Sequence, residues 1–257
     1  MISLWLDVPR DAYDYVVAEL WDAGTEGISE DGETLRAFFS NDSAAPELLE
    51  RFAAFAPRVY VEQDHDWVAE VRERWQPFPV GERFWLAPEW CGDPAPPGRL
   101  RLTIYPGMAC GTGTAPATRT SLEMMERRLF PGQSVLDVGT GTGILAAAAG
   151  LLGARPVLAC DIDTEVAAIA RANLDVAIGV FAGSLRSVRT AAVDVVVANL
   201  NAETLIANAA ELLRVTRGHV IVAGFREDQA GPVKTVLPGK LQDQANIDGW
   251  LALSIAV

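Results

Sequence analysis

The sequence predicts an α/β protein: a doubly wound, mostly parallel Rossmann-like sheet, preceded by a small ferredoxin-like α+β domain. Three observations carry this. From about residue 99 onward, continuous apolar strands alternate with helical segments, the pattern of a parallel sheet covered on both faces. At residues 135–143 an apolar strand runs straight into a glycine-rich turn and a helix. Before residue 64 the predicted elements follow the order βαββαβ, which suits two helices layered on an antiparallel sheet.

The elements follow in order. Residues 1–8 read as a strand and 10–23 as an amphipathic helix, with Tyr13, Val16, Val17, Leu20 and Trp21 near helical spacing and Gly24 as its stop. Strands at 27–30 and 34–39 flank Asp31-Gly32, a hairpin turn signal. Residues 45–55 read as a helix and 58–63 as a closing strand, so a first domain covers 1–63. Residues 64–98 read as a linker: Trp67, Val71 and Trp75 share one face of a short helix that carries Arg72 and Arg74. Pro77 and Pro79 end that helix, 84–86 is strand-like, and Pro94, Pro96 and Pro97 mark a stiff connector. The third region, 99–257, has strands at 134–138, 156–161, 193–198, 219–224 and 250–256. Helices fall at 143–152, 164–174 and 202–215, with another beginning near Thr118.

Composition narrows the function classes. Half of the 257 residues are hydrophobic and 21% are charged, which suits a packed core and not a disordered chain. The longest apolar stretch, 144–154, falls short of the ~20 residues of a membrane helix, so no membrane span is expected. The early residues are acidic, unlike a secretory signal. Cys91, Cys110 and Cys160 form no CxxC pair, so neither a disulfide framework nor a metal site is expected, and a cytoplasmic location fits. Residues 1–66 hold four arginines, no lysine and fifteen carboxylates, −11 of the net charge of −13. Such a field repels phosphate backbones and attracts a cationic partner. It argues against direct nucleic-acid binding, and its alternative is a solvated face kept for solubility.

The candidate site lies at the carboxyl ends of the predicted parallel strands. In Val135-Leu136-Asp137-Val138-Gly139-Thr140-Gly141-Thr142-Gly143, Gly139 and Gly141 allow close backbone approach to a ligand and leave helix amides free. Asp161 ends the next strand, 22 positions after Gly139, where an acidic residue holds ribose hydroxyls. Counted from Gly139, the dinucleotide pattern fails at Ile144; counted from Gly141, Ala146 satisfies it, but the first glycine comes late. Asp137 discriminates further: a carboxylate repels a pyrophosphate but suits the ammonium of S-adenosylmethionine, which is the favoured cofactor. A nicotinamide oxidoreductase stays as the alternative. Asn199, after a run of valines, offers a side-chain carbonyl that can hold an amine without competing as a nucleophile. Alone, such an Asn would be read as a helix cap. The glycine-bearing loop at 106–118 reads as a ligand-covering loop that ends at Thr118. His65 and His219 have no evident Ser or Cys partner, Cys110 reads as packing, and Cys160 reads as core.

Together these residues resemble the bacterial methyltransferase of large-subunit ribosomal protein eleven, the PrmA family. The resemblance runs over the acidic N-terminal domain, the Trp67–Trp75–Pro77 linker, the 106–118 loop and the motifs at 135–145, 157–163 and 195–200. It implies that Thr118, Gly139, Asp161 and Asn199 contact S-adenosylmethionine, with Asn199 catalytic. It also implies that the N-terminal domain captures the ribosomal protein, and that α-amino and lysine ε-amino groups are methylated. A monomer is expected. The chain departs from the family pattern Phe-Gly-Thr-Gly-Thr-His-Pro-Thr-Thr at Cys110, Ala115 and Ala117, and from Asn-Ile-Leu-Ala at Leu200 and Asn201. These departures leave a different acceptor, or a relative that binds without transfer, as alternatives.

Overall fold

The computed structural model describes residues 2–9, 12–31, 34–40, 45–61, 75–105 and 113–257. Its contacts divide the chain into two units, Met1–Glu73 and Arg74–Val257. The linker helix at 67–74, His65, the hairpin glycine at 32 and Cys110 lie outside the described residues.

In the first unit, β1 (Ile2–Asp7), α1 (Tyr13–Asp22), β2 (Gly27–Asp31), β3 (Thr34–Phe39), α2 (Ala45–Arg51) and β4 (Arg58–Val61) follow the predicted order. A 3-10 turn, Ala53–Phe55, takes the end of the segment predicted as one helix. The antiparallel sheet runs β2-β3-β1-β4. Alternation assigns its faces: Ile2, Leu4 and Leu6 stand opposite Phe39, Ala37 and Leu35. These six side chains pack with Val16 and Leu20 of α1 and Leu48 of α2. Gly24, with φ +84°, supplies the left-handed stop after α1 that the sequence called for.

The second unit begins with a small sheet, β5 (Phe78–Val80), β6 (Phe84–Pro88) and β7 (Leu100–Ile104), in that order. The strand expected at 84–86 is β6, a further strand, β5, contains Pro79, and Val80, Phe84 and Leu86 are buried in the unit's core. The carboxylate of Glu126 fixes the β5–β6 turn by accepting the Glu82 and Arg83 amides at 2.9 Å each.

The main sheet contains β8 (Val135–Val138), β9 (Val157–Asp161), β10 (Gly179–Ala182), β11 (Val193–Asn199), β12 (Thr216–Arg226), β13 (Lys240–Ile247) and β14 (Trp250–Ala256). Its order is β10-β9-β8-β11-β12-β14-β13. The first five strands pair parallel, and β14 runs antiparallel to both its neighbours. Helices α3 (Pro116–Arg128), α4 (Ile144–Leu151), α5 (Thr164–Asn173), α6 (Ala202–Val215) and α7 (Ala230–Val236) complete the unit. The valine run explains the double coverage. Val195 and Val197 enter the core shared with α3 and α4, while Val196 and Ala198 enter the core shared with α6 and α7.

At the amino ends of β8, β11 and β12, Asp194 ties the strands together. One oxygen accepts from the Ser134 amide (2.8 Å) and hydroxyl (2.7 Å), and the other accepts from Arg217 Nε at 2.7 Å. These bonds, led by that of Arg217, hold its carboxyl down at about 2. At the opposite ends, the chain leaves β8 for β9 and β10 on one side, then returns to build β11 and β12 on the other. The crevice of this fold opens where that direction reverses, between β8 and β11.

Candidate active site

Four of the residues singled out from the sequence meet at that reversal point. Gly139 and Gly141 follow β8, Asp161 ends β9, and Asn199 ends β11. Thr118 joins them from the first turn of α3, 3% exposed. Positive φ angles at Gly139 (+67°), Gly141 (+56°) and Gly143 (+90°) need glycine, since a side chain is strained there. Gly139 and Thr140 donate their amides to the Cys160 carbonyl at 2.9 and 3.1 Å, which anchors the turn on β9.

Asp161 accepts from the Gly141 amide at 3.3 Å through one oxygen and from the Asp163 amide at 3.1 Å through the other. Its half-buried carboxylate keeps further lone pairs for hydroxyls in the cavity. Asp163 caps α5 by accepting the Glu165 amide at 2.8 Å, so the strand end passes into a fixed helix start.

Asp137 is not where an ammonium partner would stand. It is 1% exposed and lines neither of the two cavities at this rim. In β8 it shares the face of Val135 toward α4, and its Oδ2 accepts from the Thr140 hydroxyl at 2.6 Å and the Ala146 amide at 3.1 Å. It therefore caps α4 from a neighbouring strand, because Gly143 at the helix start has no side chain to do so. Its Oδ1 has no hydrogen-bond partner. Burial, reinforced by Asp161, pushes its pKa up to about 6 against the pull of those two bonds. At this helix start the Ala146 amide is already taken by the protein's own carboxylate, whose charge disfavours a pyrophosphate there.

Asn199 Nδ2 donates to Thr118 Oγ1 at 3.4 Å. The amide oxygen points the other way, toward Gly224: a Cβ built there would lie 2.8 Å from Asn199 Oδ1. Asn199 is not a helix cap. That role belongs to Asn201, whose Oδ1 accepts the Thr204 amide at 2.8 Å at the start of α6.

The two cavities share Gly139, Gly141, Asn199 and Leu200 on their walls. The larger, about 600 Å³, runs past Asp161, Ile162, Gly183 and Leu185. The smaller, about 270 Å³, runs past Thr118, Ala115, Ala117, Gly224 and Trp250. Gly224 and Trp250 were not singled out from the sequence; Gly224 closes the strand predicted at 219–224, and the observed strand runs on past it. Four departures from the family pattern, Ala115, Ala117, Leu200 and Asn201, line the smaller cavity. Residues 106–112 of the predicted covering loop are outside the described residues. His219 is buried, and burial lowers its pKa; Cys160 is buried in β9, which pushes its thiol up to about 12. Among the described residues no cluster of His, Cys, Asp and Glu could hold a metal ion.

Sheet order, the single antiparallel strand and the rim of glycines and carboxylate define an α/β methyltransferase fold. A solved structure titled ribosomal protein L11 methylase from Lactobacillus delbrueckii subsp. bulgaricus superposes with a TM-score of 0.63 at 28% identity, over 70% of this chain and 98% of that one. The sequence model of the family described as Ribosomal protein L11 methyltransferase (PrmA) matches residues 11–256, and the chain belongs to that family. It is similar to the ribosomal protein L11 methyltransferase of Burkholderia cenocepacia strain HI2424, at 35% identity over 197 residues, 75% of this chain and 65% of the relative. To that of Burkholderia lata it is 36% identical over 210 residues, 78% of this chain and 68% of the relative. The chain thus spans about 65% of the length of the first of these relatives.

Proposed function

We propose that this chain is an S-adenosylmethionine-dependent protein N-methyltransferase acting on α-amino and lysine ε-amino groups of a large-subunit ribosomal protein, the L11 of its relatives' names. One observation carries the reading. The amide of Asn199 stands at the junction of two cavities, one bounded by the Gly139–Asp161 rim and the other open to an acceptor. The residues fit the cofactor: glycines hold space for it, Asp161 offers a carboxylate to ribose hydroxyls, and the buried Asp137 at the start of α4 disfavours a pyrophosphate. When bound, S-adenosylmethionine supplies a methyl group already activated by its sulfonium charge.

The chain's own task is then positioning. Gly139 and Gly141 present backbone to the cofactor, and Thr118 closes the rim from α3. Asn199 Oδ1 accepts an N–H of the incoming amine and orients its lone pair, and the amide cannot compete as a nucleophile. Among the described residues the smaller cavity has no carboxylate or imidazole on its walls. The amine therefore reaches Asn199 neutral, its proton lost beforehand or in a site where desolvation disfavours the ammonium.

The first domain, 1–63, is ferredoxin-like in this reading and recognises the substrate. Its βαββαβ order, its sheet order and the concentration of negative charge suit capture of a basic ribosomal protein. Residues 64–98 link it to the methyltransferase domain, 99–257, to whose core β5 and β6 contribute. The protein works in the cytoplasm as a monomer, with no direct contact to nucleic acid or membrane. No helix among the described residues is long and apolar enough to cross a membrane. A second reading, a different acceptor or binding without transfer, is favoured by the departures gathered on the acceptor cavity. Mass spectrometry of purified L11 after incubation with enzyme and S-adenosylmethionine separates the two. Added methyl groups on amines support the proposal, and an unchanged mass in the presence of bound cofactor overturns it.

A further inference from the structure

We infer that Gly224 is a positioning residue for methyl transfer, acting through Asn199; the inference rests on the role of Asn199 proposed above. Two independent contacts carry it. In β12 the pairing with β14 shifts register between Ala223 and Phe225, so Gly224 forms a bulge, with φ +94°. A side chain at this bulge would meet the Leu200 carbonyl and stand 2.8 Å from Asn199 Oδ1. The same bulge turns the Ala223 carbonyl to accept the Leu200 amide at 3.0 Å. On the far side, the Leu200 side chain lies against Gly139, where a Cβ would collide with it.

The Asn199–Leu200 corner is therefore seated between two glycines, one on the cofactor turn and one on the acceptor strand. Thr118 orients the Nδ2 end of the amide, and the empty volume at Gly224 leaves its oxygen facing the acceptor cavity. A methyl group at 224 moves the corner and turns the acceptor lone pair off the amine. The larger cavity shares Asn199 and Leu200 but does not include Gly224, so the change falls first on the acceptor side.

The test compares wild type, Gly224→Ala, Asn199→Ala and the double variant, with L11 as substrate. Gly224→Ala should lower kcat about tenfold or more, the scale of a sub-ångström to ångström misplacement, and change KM and cofactor affinity less than about threefold. In the Asn199→Ala background the same change should lower kcat less than about twofold, because its effect passes through the missing amide. Equal losses in both backgrounds, a wild-type kcat in Gly224→Ala, or a loss of cofactor affinity matching the loss of kcat would each overturn the inference. A wild-type rate in Asn199→Ala would instead remove the reading on which it rests. If Gly224→Ala does not fold, hydrogen exchange in the wild type decides. The Leu200 amide should exchange as slowly as the central β11 amides, and fast exchange would show that the bulge does not hold the corner.

Discussion

Replacing Asp137 by Asn tests the account of the glycine turn most directly. The unfolded carboxyl titrates at 3.8, and burial raises the folded value to about 6. An acid with a raised folded pKa binds its proton more tightly in the native state, so its ionisation opposes folding. The penalty is absent below 3.8, grows as pH rises, and is complete above about 6. The distance between those two values corresponds to about 3 kcal/mol, a large share of a typical domain stability. Asn keeps one oxygen for the Thr140 hydroxyl and the Ala146 amide and carries no charge at any pH. Relative to wild type, the variant should therefore gain stability as pH rises, by about 1 to 1.5 kcal/mol between pH 5 and pH 8 and about 3 kcal/mol in all from below 3.8. Urea unfolding of both proteins across this range, without cofactor, measures the gap. A constant gap, or one that closes with rising pH, would refute the claim that an ionised, half-satisfied carboxylate sits beneath the turn.

Asp161→Ala should weaken S-adenosylmethionine binding by about 1–3 kcal/mol while the fold survives, because the residue stands at a strand end; calorimetry reads the loss, and unchanged affinity removes Asp161 from the site. Asn199→Ala should lower the transfer rate more than it weakens binding of L11; a rate near wild type at saturating substrates contradicts the assigned role. A fragment beginning at Arg74 should bind the cofactor with wild-type affinity yet lose most methylation of L11, and association of the intact enzyme with L11 should slow as salt screens charges beyond ~10 Å at 0.1 M. Full activity in the folded fragment, with no salt dependence in the whole enzyme, would leave the acidic domain to solubility alone.

The start of that fragment shows where the sequence is hard to read. Pro94, Pro96 and Pro97 mark an obvious break, yet a cut there removes Val80, Phe84 and Leu86 from a core they help fill. The strand β5 is three residues long and carries Pro79, which reads as a breaker and is tolerated because the strand is at an edge. Similar reasons hide β10 and β13. Each lies at an edge of the main sheet, and β13 buries only Ala245, so no apolar alternation announces it. Helix α7 contains Gly231 and Pro232, turn-like in sequence but harmless in a first turn, where a missing N–H costs nothing.

The central strands are legible for the opposite reason. Burial on both faces leaves β8, β11 and β12 with short runs of apolar residues. Gly139, Asp161 and Asn199 were legible as candidates because each follows an apolar strand, whereas Thr118 was legible only as the end of a glycine-bearing loop. Asp137 sits inside such a strand, and its chemistry therefore belongs to the turn and not to the ligand. Gly224 escaped because its importance depends on the neighbour it makes room for, which a linear sequence places 25 residues away.

Asp194 gives the molecule a handle. It clasps three adjacent strands at one end, and their other ends carry the candidate rim. Residues at the open rim can be exchanged without disturbing the clasp, which keeps the register of the strands whatever is held between them. The altered side chains at 115, 117, 200 and 201 belong to that rim.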